Sequence, residues 1–505
     1  AQCEVPAARS FWAERFLRAM MAGLLPAGRI MAGAGRAQSH LINCFVLPAV
    51  PAHRSAQEVR STLMSGGGVG LDFSPMQHGV LQAIAHLDAQ SAELEKLSVR
   101  RAAQMAVLDV HHPEIEAFIA AKQDPDRAAL PHFNLSVALD DAFMQSRSEG
   151  TQRALWLRLV HAAWRSGEPG ALFIDTIAAD DNLGHLERLR ATNPCGEQPL
   201  PPYAGCCLAS VDLTRLIQAP FTAQAHLAWG LLASLVNIGV RLLDNTLELS
   251  QWPLERMTVE PPAGRRIGLG FTGLADALIM LGLRYNSAAA RRWTAMLMRF
   301  MRNAAYRASI RLARERGAYD GFEASGFLQP PHFASRLPDD LKVAIRLHGI
   351  RHSHLLAIAP AASISVAFAD NVSSGIEPVV AWQQQRHWRD SEGQPCSADV
   401  LDAAWRLYAA RRGTRRPWPE SFVTREQISG PQQVAMVAAV APYVDGGISK
   451  TVELPPQATP ADVESVFDQA WRLRIKGITV FRRGSRPGVI TGSDRAVCVN
   501  AGPAT

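Results

Sequence analysis

Five consecutive residues, Asn193-Pro194-Cys195-Gly196-Glu197, set an amide, a thiol and a carboxylate at alternate positions. In extended backbone, positions i, i+2 and i+4 project to one side, so this spacing predicts all three groups aimed at one small volume. Pro194 and Gly196 disfavour a helix and suit a rigid, sharply bent loop. A carboxylate can move a proton, an amide can orient a reactant, and a thiol can serve nucleophilic or radical chemistry. Seven cysteines occur in all (Cys3, Cys44, Cys195, Cys206, Cys207, Cys396 and Cys498), none in a CxxC pair, so the sequence carries no zinc signal.

Other suggestive strings read as structure. Gly268-Leu-Gly-Phe-Thr-Gly273 satisfies a dinucleotide-binding pattern, but no long strand is expected before it and no acid follows near position 293, so a packing turn is the better reading. His111-His112 reads as a helix start with solvated imidazoles, and His352 and His354 likewise lack ligand spacing. Met20-Met21 and Met296, Met298 and Met301 read as core filler.

The elements that must position the thiol come from pattern. Helices are expected over 10–23, 113–122, 153–165, 226–249 and 288–316. Strands are expected over 41–48, 71–73, 172–174, 357–359, 364–368 and 478–481, with a glycine loop at Ser65–Gly70 and a long loop over 193–214. Residues 383–433 read as a polar, irregular insertion or surface excursion. Strands alternating with long helices imply an α/β fold with mainly parallel strands.

The 505 residues are 48% hydrophobic and 19% charged, enough for a large core, with no uninterrupted apolar run of the roughly 18 residues that would cross a membrane. The net charge of +6 is spread over scattered arginines, such as Arg265-Arg266 and Arg411-Arg412, expected on solvated faces. Without a basic stripe interleaved with aromatics, no direct nucleic-acid binding is expected. The odd cysteine count and the start at Ala-Gln-Cys-Glu, without a leader pattern, suggest a cytoplasmic chain, and the missing initiator Met suggests a fragment or processed chain.

The wider string Ala191-Thr-Asn-Pro-Cys-Gly-Glu-Gln-Pro-Leu200, with Tyr203 and Cys206, resembles the active-site signature of the ribonucleotide reductase catalytic subunits. Further islands are similar to the same family and follow in its order: Pro26–Gly35 with Asn43-Cys44-Phe-Val-Leu, Gly66–Gly70, Arg265–Asp276, Ile358–Ser365 with Ser374–Pro378, and Asp445–Thr451. The resemblance implies a ten-stranded α/β barrel of two five-stranded parallel halves around a central finger loop that carries Cys195. It divides the chain into an N-terminal helical remnant (1–25), a catalytic barrel (26–483) and a loose tail (484–505).

By the same resemblance, Cys195 would become the thiyl radical that abstracts the ribose 3′ hydrogen, Glu197 the base on the 3′-hydroxyl, and Asn193 the group that orients the ribose. Cys44 and Cys206 would be the dithiol that is oxidised to a disulfide, with Cys207 the alternative to Cys206. The substrate diphosphate would lie against Asn43, Gly68 and the turn Pro360-Ala361-Ala362-Ser363-Ile364, where the family commonly has Thr in place of Ala361. Backbone N–H groups of a turn leading into a helix suit phosphate.

The stretch Ile478-Thr479-Val480-Phe481 lacks the tyrosine pair of class I, and Gly484–Gly488 does not resemble the glycyl-radical motif of class III. That leaves class II, with adenosylcobalamin as cofactor. A ribonucleotide substrate, a thioredoxin- or glutaredoxin-type reductant and a homodimer are the implied partners. A shortened 74–99 segment and His53-Arg54 at an otherwise acidic position imply weak control by effector nucleotides, and only Cys498 stands where the family has a tail cysteine pair. A catalytically silent nucleotide-binding paralogue is the second reading.

Overall fold

The computed structural model describes all residues except 37–39, 51, 97–101, 124–129, 260–263, 390–393, 416, 486–490 and 494–505. Its centre is a barrel. Strands β1 (Leu24–Pro26), β2 (Cys44–Pro48), β3 (Gly68–Asp72), β4 (Gln104–Asp109), β5 (Phe133–Leu139) and β6 (Gly170–Phe173) come first. A short hairpin follows, β7 (Ala191–Thr192) with β8 (Pro199–Leu200), and then β9 (Gly205–Asp212), β10 (Ile267–Thr272), β11 (Thr451–Leu454) and β12 (Gly477–Arg482).

Strands β2 to β6 pair in parallel and form one half. In the other half β9 pairs in parallel with β10, and β11 with β12. Residues 355–358 bridge between them through the parallel pairs Leu269–Leu356 and Ile358–Ile448. The halves meet antiparallel at two seams, β2 against β9 and β6 against β12. The expected α/β barrel of two parallel five-stave halves is the observed architecture. Strand β1 runs antiparallel along the end of β9.

Strands covered on both faces should be apolar throughout, and every residue of β9 is buried. The two faces differ by alternation. Cys44, Val46, Cys206 and Leu208 join an inner cluster with Met105, Val107 and Ala357. Phe45, Leu47, Cys207 and Ala209 face outward into the main core under the helices. Helix Trp229–Leu249 packs on β9 and against helix Ala288–Arg316.

Several expectations are corrected. Residues 193–214 are not one long loop, since they hold the β7–β8 hairpin and β9. Gly68 and Gly70 lie inside β3 rather than in a loop before it. Residues Ala362–Phe368 form a helix, not a strand, entered through Ala361 in the left-handed region. Within the 383–433 excursion, strands Gln383–Arg389 and Pro395–Leu401 pair antiparallel, and residues 491–493 add a third strand to them. Residues 494–505 of the expected loose tail, the side chain of His53, and residues 97–99 of the shortened segment fall outside the described residues.

Arg265 and Arg266 are not solvated. Arg266 is buried against Glu187 and Asp181, and Arg265 pairs with Asp244. His352 and His354 are buried as well, on Asp244 and Asp181. His112 is also buried and bonds the Met76 carbonyl, whereas His111 is exposed on Asp140. Met298 and Met301 fill the core, but Met21 and Met296 are exposed. The glycine string 268–273 is strand β10 up to Thr272 and turns only at Gly273.

Candidate active site

The β7–β8 hairpin enters the barrel and carries Asn193–Gln198 at its tip. The tip is a tight turn rather than an extended run: the Asn193 carbonyl accepts from Gly196 N, and Gly196 has φ +81°. What fixes it is absent side chains on the barrel wall. A Cβ on Gly70 of β3 would stand 1.8 Å from the Thr192 carbonyl oxygen, and one on Gly447 would stand 2.8 Å from that of Gly196. A Cβ on Gly268 would come within 2.4 Å of the Gln198 amide. Two hydrogen bonds complete the clamp: Gly447 N donates to the Glu197 carbonyl (2.8 Å), and Asn134 Nδ2 to that of Pro194 (3.0 Å).

Asn193, Cys195, Glu197, Cys44, Asn43, Gly68 and Pro360 to Ile364 all line one cavity of about 610 Å³. Cys206 does not line it. It lies behind, directly across the seam from Cys44 in the β2–β9 register. Directly opposed residues of antiparallel strands have Cα atoms about 4.5–5.5 Å apart, within the roughly 4.4–6.8 Å that a disulfide spans. Both stand as thiols. Cys207 points the other way, its Sγ donating to the Leu243 carbonyl of the outer helix (3.5 Å). The alternation of β9 therefore separates Cys206, the partner of Cys44 implied by the resemblance, from its alternative Cys207.

The polar groups of the tip are closely coupled. Asn193 Oδ1 accepts from Gln198 N (3.0 Å), while its Nδ2 donates to Cys44 Sγ (3.3 Å). Asn43 Nδ2 points at the same sulfur (3.4 Å). Burial pushes the Cys206 thiol up, and the neighbouring Cys207 and Cys44 add to the effect, so Cys206 holds its proton at neutral pH. Glu197 is 2% exposed, and its Oε2 has no hydrogen-bond partner among the described residues. Burial pushes its carboxyl up to about 7. Cys195 is exposed at the tip and opens on two cavities, the one above and a second of about 280 Å³ whose polar lining includes Asn134, Ser136 and Ser449.

Arg29 and Ser210 also line the larger cavity. Sequence reading did not single them out. Arg29 lay within the Pro26–Gly35 string, and its one signal was Gly66, whose backbone its guanidinium covers. Among the described residues, no cluster of three or more His, Cys, Asp or Glu side chains is arranged to hold a metal ion. No helix among them is long and apolar enough to cross a membrane.

An α/β barrel with a cysteine-tipped loop held inside it and a paired dithiol on its wall defines a thiol-based barrel protein. The family model for the ribonucleotide reductase barrel domain matches residues 51–153 and 146–481, and the chain belongs to that family. It is 33% identical to the vitamin B12-dependent ribonucleoside-diphosphate reductase of Mycobacterium tuberculosis (strain CDC 1551 / Oshkosh), over 97% of this chain and 74% of that protein. A protein of the same description from Thermoplasma acidophilum is 27% identical over 92% of this chain and 64% of its own length. The vitamin B12-dependent ribonucleotide reductase of Streptomyces coelicolor is 24% identical over 88% and 56%.

Proposed function

We propose that this chain is a ribonucleotide reductase that converts ribonucleoside diphosphates to 2′-deoxyribonucleotides with Cys195 as the radical-bearing residue and adenosylcobalamin as the cofactor. The observation that carries the reading is the convergence of Cys195, Glu197, Asn193 and Cys44 on one cavity, with Cys206 paired behind Cys44.

In this reading the Cys195 thiyl abstracts the 3′ hydrogen of the ribose, and Glu197 takes the proton of the 3′-hydroxyl. The 2′-hydroxyl then leaves as water. Cys44 and Cys206 supply two electrons and become a disulfide, so one dithiol and one ribonucleotide give one disulfide, one deoxyribonucleotide and one water. A Cys206 thiol held protonated suits hydrogen donation, and exchange of the pair with an external dithiol of the thioredoxin or glutaredoxin type resets it. A cytoplasmic setting, where thiols stay reduced, fits such a cycle. Asn193 orients the ribose, and the phosphates lie against Asn43, Gly68 and Pro360–Ile364. The first N–H groups of a helix lack acceptors within it, and Ala361 and Ala362 leave the backbone open to close approach.

The second cavity fits the cofactor reading because Cys195 lines it as well, beside both apolar and polar side chains. Asn134, Ser136 and Ser449 would hold the nucleoside part there. Adenosylcobalamin, when bound, supplies the organic radical equivalent that Cys195 requires.

The test is turnover of the four ribonucleoside diphosphates with adenosylcobalamin and a dithiol reductant. Wild type is expected to form deoxynucleotide, and Cys195→Ser none, since an O–H bond is far harder to homolyse than S–H. Product from the Cys195→Ser variant contradicts the assignment. A wild type that binds nucleotides without turnover is a silent paralogue instead.

A further inference from the structure

The larger cavity must take a polyanion under the reading above, on which this inference rests. Its lining, among the described residues, includes one cationic side chain, Arg29. The guanidinium is not simply loose at the mouth. Its Nη2 donates to the Gly66 carbonyl (2.9 Å), and the planar group lies where a side chain on Gly66 would be: a Cβ there would stand 1.4 Å from Nη2 and 2.4 Å from Cζ. Gly66 also adopts φ +81°, a conformation that only glycine takes without strain. Any other residue at 66 would evict the guanidinium.

The anchor lies two residues from Gly68, whose N–H donates to the Asn43 carbonyl. The cation is thus tied to the part of the wall where the phosphates are assigned. We propose that Arg29 is the cation that recognises the phosphate end of the substrate, and that Gly66 is the residue that seats it. Arginine presents five donors in a rigid fork that matches phosphate oxygens two at a time. The Gly66 carbonyl anchors the fork through Nη2. This makes Arg29 a specificity residue: it should separate nucleotides from nucleosides and contribute nothing to the choice of base.

The experiment measures affinity by calorimetry for a ribonucleoside diphosphate and for the matching nucleoside, with wild type, Arg29→Ala, Arg29→Lys and Gly66→Ala. Arg29→Ala should weaken diphosphate binding roughly 10- to 100-fold and leave nucleoside binding unchanged. Arg29→Lys should recover part of the loss, because it keeps the charge but not the fork. Gly66→Ala should reproduce the selective loss with Arg29 still in the chain, which guards against a folding artefact at Arg29 itself. In turnover the defect should appear in KM rather than kcat, and the wild-type advantage should shrink with added salt. Equal losses for nucleoside and diphosphate, or no loss in either variant, overturn the role of Arg29 while leaving the reductase reading intact. A wild type that neither binds nor reduces ribonucleotides overturns both.

Discussion

Two buried carboxylates in this protein are treated in opposite ways. Asp244, on helix Trp229–Leu249, is surrounded by Arg265, Arg316, Arg351 and His352. Burial alone would raise its carboxyl, but the His352 hydrogen bond and the charges of His352, Arg265 and Arg351 outweigh it and hold the group well below the usual carboxylate range. Among the described residues, Glu197, at the finger tip, has no cation acting on its carboxyl and an oxygen with no partner. Its carboxyl is pushed up instead. A saturated cluster outside the barrel holds helices together, while an unsatisfied one inside it is kept at a cost to stability. Perturbed groups of the second kind gather at functional sites.

The contrast predicts changes of opposite sign. Asp244→Asn removes the charge that three arginines share, and breaking a buried ionic cluster by removing one partner typically destabilises by about 3–5 kcal/mol. Denaturant unfolding should show a loss of that order, and an unchanged midpoint would mean that the cluster is ornamental.

Glu197→Gln should do the reverse at alkaline pH. Between the ordinary value of 4.5 and about 7 the folded chain keeps a proton that the unfolded chain releases, so stability falls as pH rises through that window. The full penalty, on the order of 3 kcal/mol, is present above pH 7 and absent below 4.5. Glutamine does not titrate, so the variant should match wild type in stability near pH 4, exceed it at pH 8, and be inactive at both. In wild type, the step that needs the carboxylate should weaken as pH drops through about 7. Equal stability of the two proteins at pH 8 would falsify the account of Glu197.

Gly70→Ala tests the clamp. The added carbon cannot coexist with the Thr192 carbonyl, so the finger must shift. Overpacking of this kind costs about 1–3 kcal/mol, and displacement of a reacting group by an ångström can cost roughly 100-fold in rate. A variant with wild-type kcat would show that the wall does not set the position of Cys195.

The residues that line the larger cavity were legible in the sequence because most sit in short strings: the finger, the Cys44 strand and the Pro360 turn. Long helices such as 288–316 were legible from periodicity. What was missed depends on tertiary neighbours. Strand β9 was read as part of a loop because the 193–214 segment is rich in proline and cysteine, yet its pairing with both β2 and β10 makes it a central stave. Residues 364–368 are β-branched or aromatic at Ile364, Val366 and Phe368 and read as strand, but the left-handed turn at Ala361 starts a helix there. The choice between Cys206 and Cys207 needed the facing of a strand, and Arg29 needed the empty surface of Gly66.

The central claim is that Cys195 works on a ribose whose reduction is supplied by Cys44 and Cys206. It is tested most directly by a single turnover. Fully reduced wild type, given adenosylcobalamin and a ribonucleoside diphosphate but no external reductant, is quenched, and its cysteines are mapped by mass spectrometry. The prediction is one new disulfide, Cys44 to Cys206, formed in step with one deoxynucleotide per chain, and the same result in Cys207→Ser. A disulfide that includes Cys207, or deoxynucleotide formed while Cys44 and Cys206 remain thiols, would contradict it.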